Sequence, residues 1–283
     1  MIKVLEKQAL DEAVDFAWKL CDKMETRSYT LFENREAMEH KFQWSLEQDE
    51  GELIACYHDN VLKGVASYFL IPRDSYAQTT GFYVHDEHAA HEILDFLEHK
   101  LAQYSMHIGI PAENTMAASA LESRGYSVEE RSYDMRCDMQ DFNPASPKHN
   151  IVRVDEDLFP QYAEFHDRHF RDFYWNSARL AEQLEDWYIF VALEGSQITG
   201  SIFCRLSGSE DGEIFGAYAT TPEMATGLIT SAMSQLLEVC PSIARVVYFT
   251  EEHERVEREA ARALGFVEYS QYRLWKKDLS CKN

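Results

Sequence analysis

A chain of 283 residues with 45% hydrophobic side chains can bury a substantial core, and its length suits one large domain or two of ordinary size. Asp and Glu total 49 against 27 Lys and Arg, a formal net charge of −22, which excludes non-specific binding to a phosphate backbone and makes nucleic acid a poor partner. Met1 to Glu6 has no apolar signal core, and no run approaches the roughly 18 apolar residues of a membrane span, so a cytoplasmic chain without membrane contact is expected.

Periodicity and breakers predict a strand at 2–5, amphipathic helices near 9–22 and 34–47, and strands near 52–57, 62–70 and 79–84. A helix near 86–103, a short strand near 105–109 and a helix near 114–124 closed by Gly125 follow, and then two final strands across 126–139. The stretch from Asn143 to Asn150, with Pro144 and Pro147, is polar and reads as a linker, which divides the chain into domains 1–140 and 150–283. Beyond it come strands near 151–154, 188–194, 197–206, 213–220, 245–249 and 266–278, with helices near 156–169, 176–186, 223–239 and 252–264. Asp59-Asn60 and Glu194-Gly195-Ser196 have hairpin-turn composition. The fold class is α/β in the broad sense, with α+β mixed sheets.

The second half repeats the first. Asn114 to Tyr126 and Glu254 to Phe266 are both helix-forming runs that close on a glycine and an aromatic residue, Gly125-Tyr126 and Gly265-Phe266. Upstream, Gly81-Phe82-Tyr83-Val84 matches Gly216-Ala217-Tyr218-Ala219, each a strand running into a long helix. A unit of about 140 residues fits a domain.

This element order, taken twice, resembles the GCN5-related N-acetyltransferase superfamily. The resemblance covers nearly the whole chain and implies two tandem domains of that fold. It implies acetyl-CoA as cosubstrate, with its pyrophosphate on a glycine-rich loop that opens the helix after the fourth strand. Unpaired amides at a helix start and its partial positive charge suit an anion there. In the second half the strand end and helix entry are Ala219, Thr220 and Thr221, and the loop is Ala225-Thr226-Gly227-Leu228-Ile229-Thr230. Ala225 stands at the family's Arg or Gln, and Leu228 and Thr230 replace its glycines. The first half has Glu92 where phosphate should approach, so the resemblance makes the second domain the acyl-CoA site and the first a degenerate partner. Neither half keeps the usual tyrosine general acid; Leu121 and Ala261 stand in its place.

For transfer to a primary amine on a small molecule or peptide, Glu213 is the expected base, with Tyr218 and Tyr248 as phenols near the cleft. Arg255, Arg258 and Arg262 share a helix face, and Arg258 is the expected phosphate contact. The aromatic run from Phe165 to Trp175 suits an acceptor pocket. The alternative is a catalytically inactive binding or scaffold protein of the same fold, and a homodimer is compatible with either. His85, His88 and His91 lie near Glu87 and Glu92 at zinc-like spacing, but without His-Glu-x-x-His or a companion Cys/His set no metal is expected. The six cysteines, Cys281 included, are spread out and read as reduced thiols.

Overall fold

The computed structural model describes residues 1–146, 148–171, 173–207 and 211–280; Pro147 of the linker and Cys281 lie outside them. The chain forms two compact units, Met1–Arg131 with Gln271–Asn283, and Ser132–Ser270. Before the linker, the elements are β1 (Ile2–Val4), α1 (Leu10–Leu20), α2 (Arg35–Glu47), β2 (Gly51–His58), β3 (Val61–Ile71) and β4 (Tyr76–Val84), then α3 (Glu87–Lys100), β5 (Ser105–Pro111), α4 (Thr115–Ser123) and β6 (Ser127–Asp138). After it come β7 (Asn150–Arg153), α5 (Phe159–His169), α6 (Ser177–Glu182), β8 (Tyr188–Glu194), β9 (Gln197–Leu206) and β10 (Asp211–Tyr218), then α7 (Pro222–Val239), β11 (Arg245–Glu251), α8 (Arg255–Ala263) and β12 (Val267–Asp278).

Each half ends in one long strand, where the first was expected to end in two. Residues 127–138 contain no glycine, proline or asparagine at which to turn, so the extended run continues. These last strands are exchanged between the units. Tyr272 to Asp278 of β12 pair antiparallel with Pro111 to Ser105 of β5, and Ser132 to Asp138 of β6 pair with Glu251 to Arg245 of β11. The division expected at 140 and 150 follows the linker, whereas the compact units follow this pairing. Unit 1 therefore has strand order β1-β2-β3-β4-β5-β12, and unit 2 has β7-β8-β9-β10-β11-β6. In each, all pairs are antiparallel except β4 with β5 and β10 with β11.

Strand alternation sends neighbouring side chains to opposite faces. In unit 1, Leu53, Ala55, Val65 and Tyr83 meet α1 and α2, while Ile54, Cys56, Ala66 and Phe82 meet α3 and α4. Unit 2 does the same, with Ile189, Val191 and Phe203 under α5 and α6, and Phe190, Ala192, Ile202 and Cys204 under α7 and α8. A fully buried Leu or Ile contributes about 1.5–3 kcal/mol, so these four layers hold both sheets in register. The repeated glycines end α4 and α8 at φ +81° and +106°, with Tyr126 N donating to Leu121 O and Phe266 N to Ala261 O. This left-handed cap is the physical content of the repeat. No helix among the described residues is long and apolar enough to cross a membrane.

Candidate functional site

Both units open their sheet at the same place. In unit 2, β10 pairs with β11 from Asp211 with Arg245 to Ile214 with Tyr248, and no pairing continues beyond. A bulge at that point, where the β9 register shifts between Ile214 and Gly216, turns β10 away. In unit 1 the parallel pairing stops at Gln78 with His107, and β4 carries its bulge between Thr79 and Gly81. Each glycine after the bulge is needed for space: a Cβ on Gly216 would stand 2.8 Å from Phe203, and one on Gly81 2.8 Å from Tyr83.

Parted strands leave backbone groups that need partners. In unit 1 the connection between α1 and α2 supplies them. Tyr29 N donates to Gly109 O on β5 (3.1 Å), Thr30 N donates to Thr80 O on β4 (3.3 Å), and Phe82 N donates to Ser28 Oγ (2.8 Å). Asn114 Nδ2 donates to Arg27 O (2.8 Å) and fixes the segment's start. Residues 27–30 thus stitch β4 to β5 across the gap. The corresponding connection in unit 2 is tied to its own helices: His166 Nε2 bonds to Trp175 O (2.7 Å) and Arg179 Nη1 donates to Tyr174 O (2.7 Å).

Around the unit 2 gap, chemistry is divided between the two faces. On the α5 and α6 face, Glu213 stands directly across from Arg205. The Arg205 guanidinium lies 4.8–5.0 Å over the rings of Trp175, Trp187 and Phe215. Burial pushes the Glu213 carboxyl up to about 7, Arg205 opposes the shift, and Asp134 adds to it. Asp134 is itself fully buried and paired with Arg136 (2.8 and 2.9 Å). Tyr218 lies on the same face, its ring against Phe165 (5.7 Å) and His169 (3.9 Å). On the α7 and α8 face, Tyr248 and Thr250 are fully buried, and among the described residues their hydroxyls have no hydrogen-bond partner. Burial, reinforced by Glu254 and Glu257, holds the Tyr248 phenol well above its ordinary range.

The open loop expected at 225–230 does not form, because α7 begins at Pro222 and runs unbroken to Val239. Thr221 caps the helix, its side chain accepting from Met224 N (3.2 Å); Pro222 has no N–H, and Ala225 N donates to Thr221 O (3.0 Å). With Leu228 and Thr230 at the glycine positions nothing interrupts the helix, and the later amides point at helical carbonyls. Ala225, Gly227, Leu228, Ile229 and Thr230 are buried, and Thr226 Oγ1 donates to Pro222 O (2.7 Å). Ala219 N donates to the Glu257 carboxylate (3.0 Å), and Thr220 is exposed. Arg258 is buried and committed: it donates to Glu251 O (3.0 Å) and Glu252 O (3.4 Å) under the Tyr133 ring. The helix start is a poor cradle for a pyrophosphate, since the amides of Ala219, Met224 and Ala225 are taken, Pro222 has none, and two carboxylates, Glu223 and Glu257, flank it.

Neither a family model nor a curated protein sequence matches the chain. Solved structures do match. A GCN5-related N-acetyltransferase from Sphaerobacter thermophilus superposes with TM-score 0.68 at 14% identity, over 99% of this chain and 95% of that one. A tandem protein of the same kind from the clavulanic acid biosynthesis pathway gives 0.55 at 13%, over 100% and 99%. A glucosamine N-acetyltransferase region of a fungal multi-domain β-N-acetylglucosaminidase gives 0.64 at 11%, over 98% of this chain and 38% of that one. The chain has a tandem GCN5-related N-acetyltransferase fold.

Against that acetyltransferase fold, the structure brings Glu213 and Tyr218 to one face of the parted strands and puts Tyr248 on the other. Arg205, Asp134, Trp187 and Glu257 were not singled out by sequence. The Glu213 to Arg205 pairing was legible in the β9 to β10 hairpin alternation, whereas Asp134 reaches the site only because β6 pairs with β11, more than a hundred residues away. Met224 and the buried face of α7 pack into the core of unit 2.

Proposed function

We propose that unit 2 is the working half of the molecule, an N-acyltransferase that passes an acyl group from a thioester such as acetyl-CoA to a primary amine. The feature that carries this reading is Glu213, half-buried at the base of the parting strands, where burial pushes its carboxyl up to about 7. A base poised near the working pH holds enough carboxylate to take a proton from an ammonium group and release the nucleophilic amine. Tyr248, kept protonated by burial, can donate a hydrogen bond from the opposite face. The donor supplies the acyl carbon, and this chain grips it at the thioester and pantetheine arm rather than at the pyrophosphate, whose nest is absent. The Arg205 and tryptophan wall beside Glu213 suits a small-molecule amine or a peptide side chain with an apolar body.

A second reading, a binding protein of this fold without transfer, is favoured by the unbroken α7 and by Glu257 on Ala219 N. Calorimetry with acetyl-CoA and with acetyl-pantetheine separates them. The transferase reading expects both to bind within about threefold of each other, because a charge-assisted phosphate bond contributes about 1.5–3 kcal/mol and none is available. Binding of acetyl-CoA more than tenfold tighter would restore a phosphate site, and no binding of either at millimolar concentration would leave the second reading.

A further inference from the structure

Alternation along β2 places Cys56 and His58 on one face of the sheet, and that face packs against α3. On α3, His88 and Glu92 are four residues apart and share a helix face. The two pairs converge. Cys56 Sγ lies 3.1 Å from Glu92 Oε2 and 3.5 Å from His58 Nε2, and His58 Nε2 lies 3.5 Å from Glu92 Oε2. These three ligand atoms all fall within 4.8 Å of one another. His88 Nε2 stands 3.5 Å from the other Glu92 oxygen, and its ring is 4.7 Å from that of His58. Glu92 Oε2 also accepts from the Met1 amino group (3.1 Å).

Tetrahedral zinc with bonds of about 2.0–2.3 Å separates neighbouring ligand atoms by about 3.3–3.6 Å, and the observed triangle has nearly those edges. A buried thiol, two imidazoles and a carboxylate are a donor set for a borderline-soft divalent ion. We propose that unit 1 binds one zinc-like transition-metal ion through Cys56, His58 and Glu92, with His88 as the fourth ligand. On binding, the sulfur–metal bond forms as the thiol proton leaves to solvent, so affinity falls at low pH. The family resemblance implies phosphate at the helix turn that Glu92 occupies, so on this proposal an anion position has become a cation position. His85 and His91 are not part of the cluster.

The test titrates the metal-free 283-residue chain with Co2+. The expected result is one equivalent bound per chain with a near-ultraviolet thiolate-to-cobalt charge-transfer band, displaced by Zn2+. Cys56→Ser should lose the band, and Cys56→Ser and Glu92→Gln should each weaken Co2+ binding at least about a hundredfold, more than the loss of an outer partner. No band in the native chain, or a band that survives Cys56→Ser, overturns the proposal. Should Cys56→Ser fail to fold by circular dichroism, Glu92→Gln and the exposed His88→Ala decide: unchanged affinity in both overturns it equally.

Discussion

Units 1 and 2 part the same two strands at the same bulge, yet they treat the gap differently. In unit 1, backbone from residues 27–30 bonds to both parted strands. In unit 2 the gap is furnished by side chains: Glu257 takes Ala219 N, Glu213 sits at its base, and among the described residues the Tyr248 and Thr250 hydroxyls have no partner. Among the described residues, unpartnered buried hydroxyls occur in unit 1 as well, Thr79 Oγ1 beside its bulge among them, so the difference lies in the backbone stitch, which spans the gap of unit 1 and has no counterpart in the connection of unit 2 that is tied to its own helices. A repeated fold can thus keep its shape in both copies while one copy closes its cleft with its own chain.

The largest expected effect tests the unit 2 side of that contrast. Glu213→Gln should lower the transfer rate by about 10²–10⁴-fold with thioester affinity unchanged, and the native rate should rise as pH passes through about 7 and the carboxylate forms. A loss under tenfold in a coupled thiol-release assay would place the base elsewhere. The same group has a stability signature. The folded state keeps this proton to about 7 and an ordinary Glu only to about 4.5, so the native chain loses stability as pH rises between those values. The Gln variant lacks that loss and should gain on the native chain in urea melts at pH 8 relative to pH 4.

A second measurement sharpens the repeat itself. Both helix-closing glycines have positive φ, but a Cβ on Gly125 meets nothing within 4 Å, whereas one on Gly265 would collide with the Asp141 carbonyl oxygen. Gly125→Ala should cost about 1–2 kcal/mol from conformation alone, and Gly265→Ala clearly more, with equal losses in denaturant melts contradicting the difference. A third measurement, of similar size, concerns the unit 1 stitch. Ser28→Ala leaves the buried Phe82 N–H without its acceptor and should destabilise by about 1–3 kcal/mol; an unchanged midpoint would mean that the segment does not hold the strands.

Element order, the repeat and its glycine caps were legible because they rest on local chemistry: periodicity, turn residues and left-handed φ. The helical start of α7 was legible too, since Thr221-Pro222-Glu223 is a cap, a first-position proline and an acidic first turn, a stronger local signal than the single Gly227. What sequence could not supply is non-local. Residues 27–30 read as an ordinary connection, and only the parting of β4 from β5 gives their amides a role. Cys56 and His58 read as a strand end, and only the packing of β2 on α3 joins them to Glu92. Glu213 was chosen for its position, and its shift comes from burial, to which Asp134 on an exchanged strand adds.

That exchange also sets the order of events in biosynthesis. Strand β5 receives its outer partner from β12, which the ribosome delivers long after it, and β6 emerges long before its partner β11. Unit 1 therefore waits with an open sheet edge, a site for mispairing, until β12 has been made. Cutting the gene at the linker would give two fragments that each carry the other's closing strand.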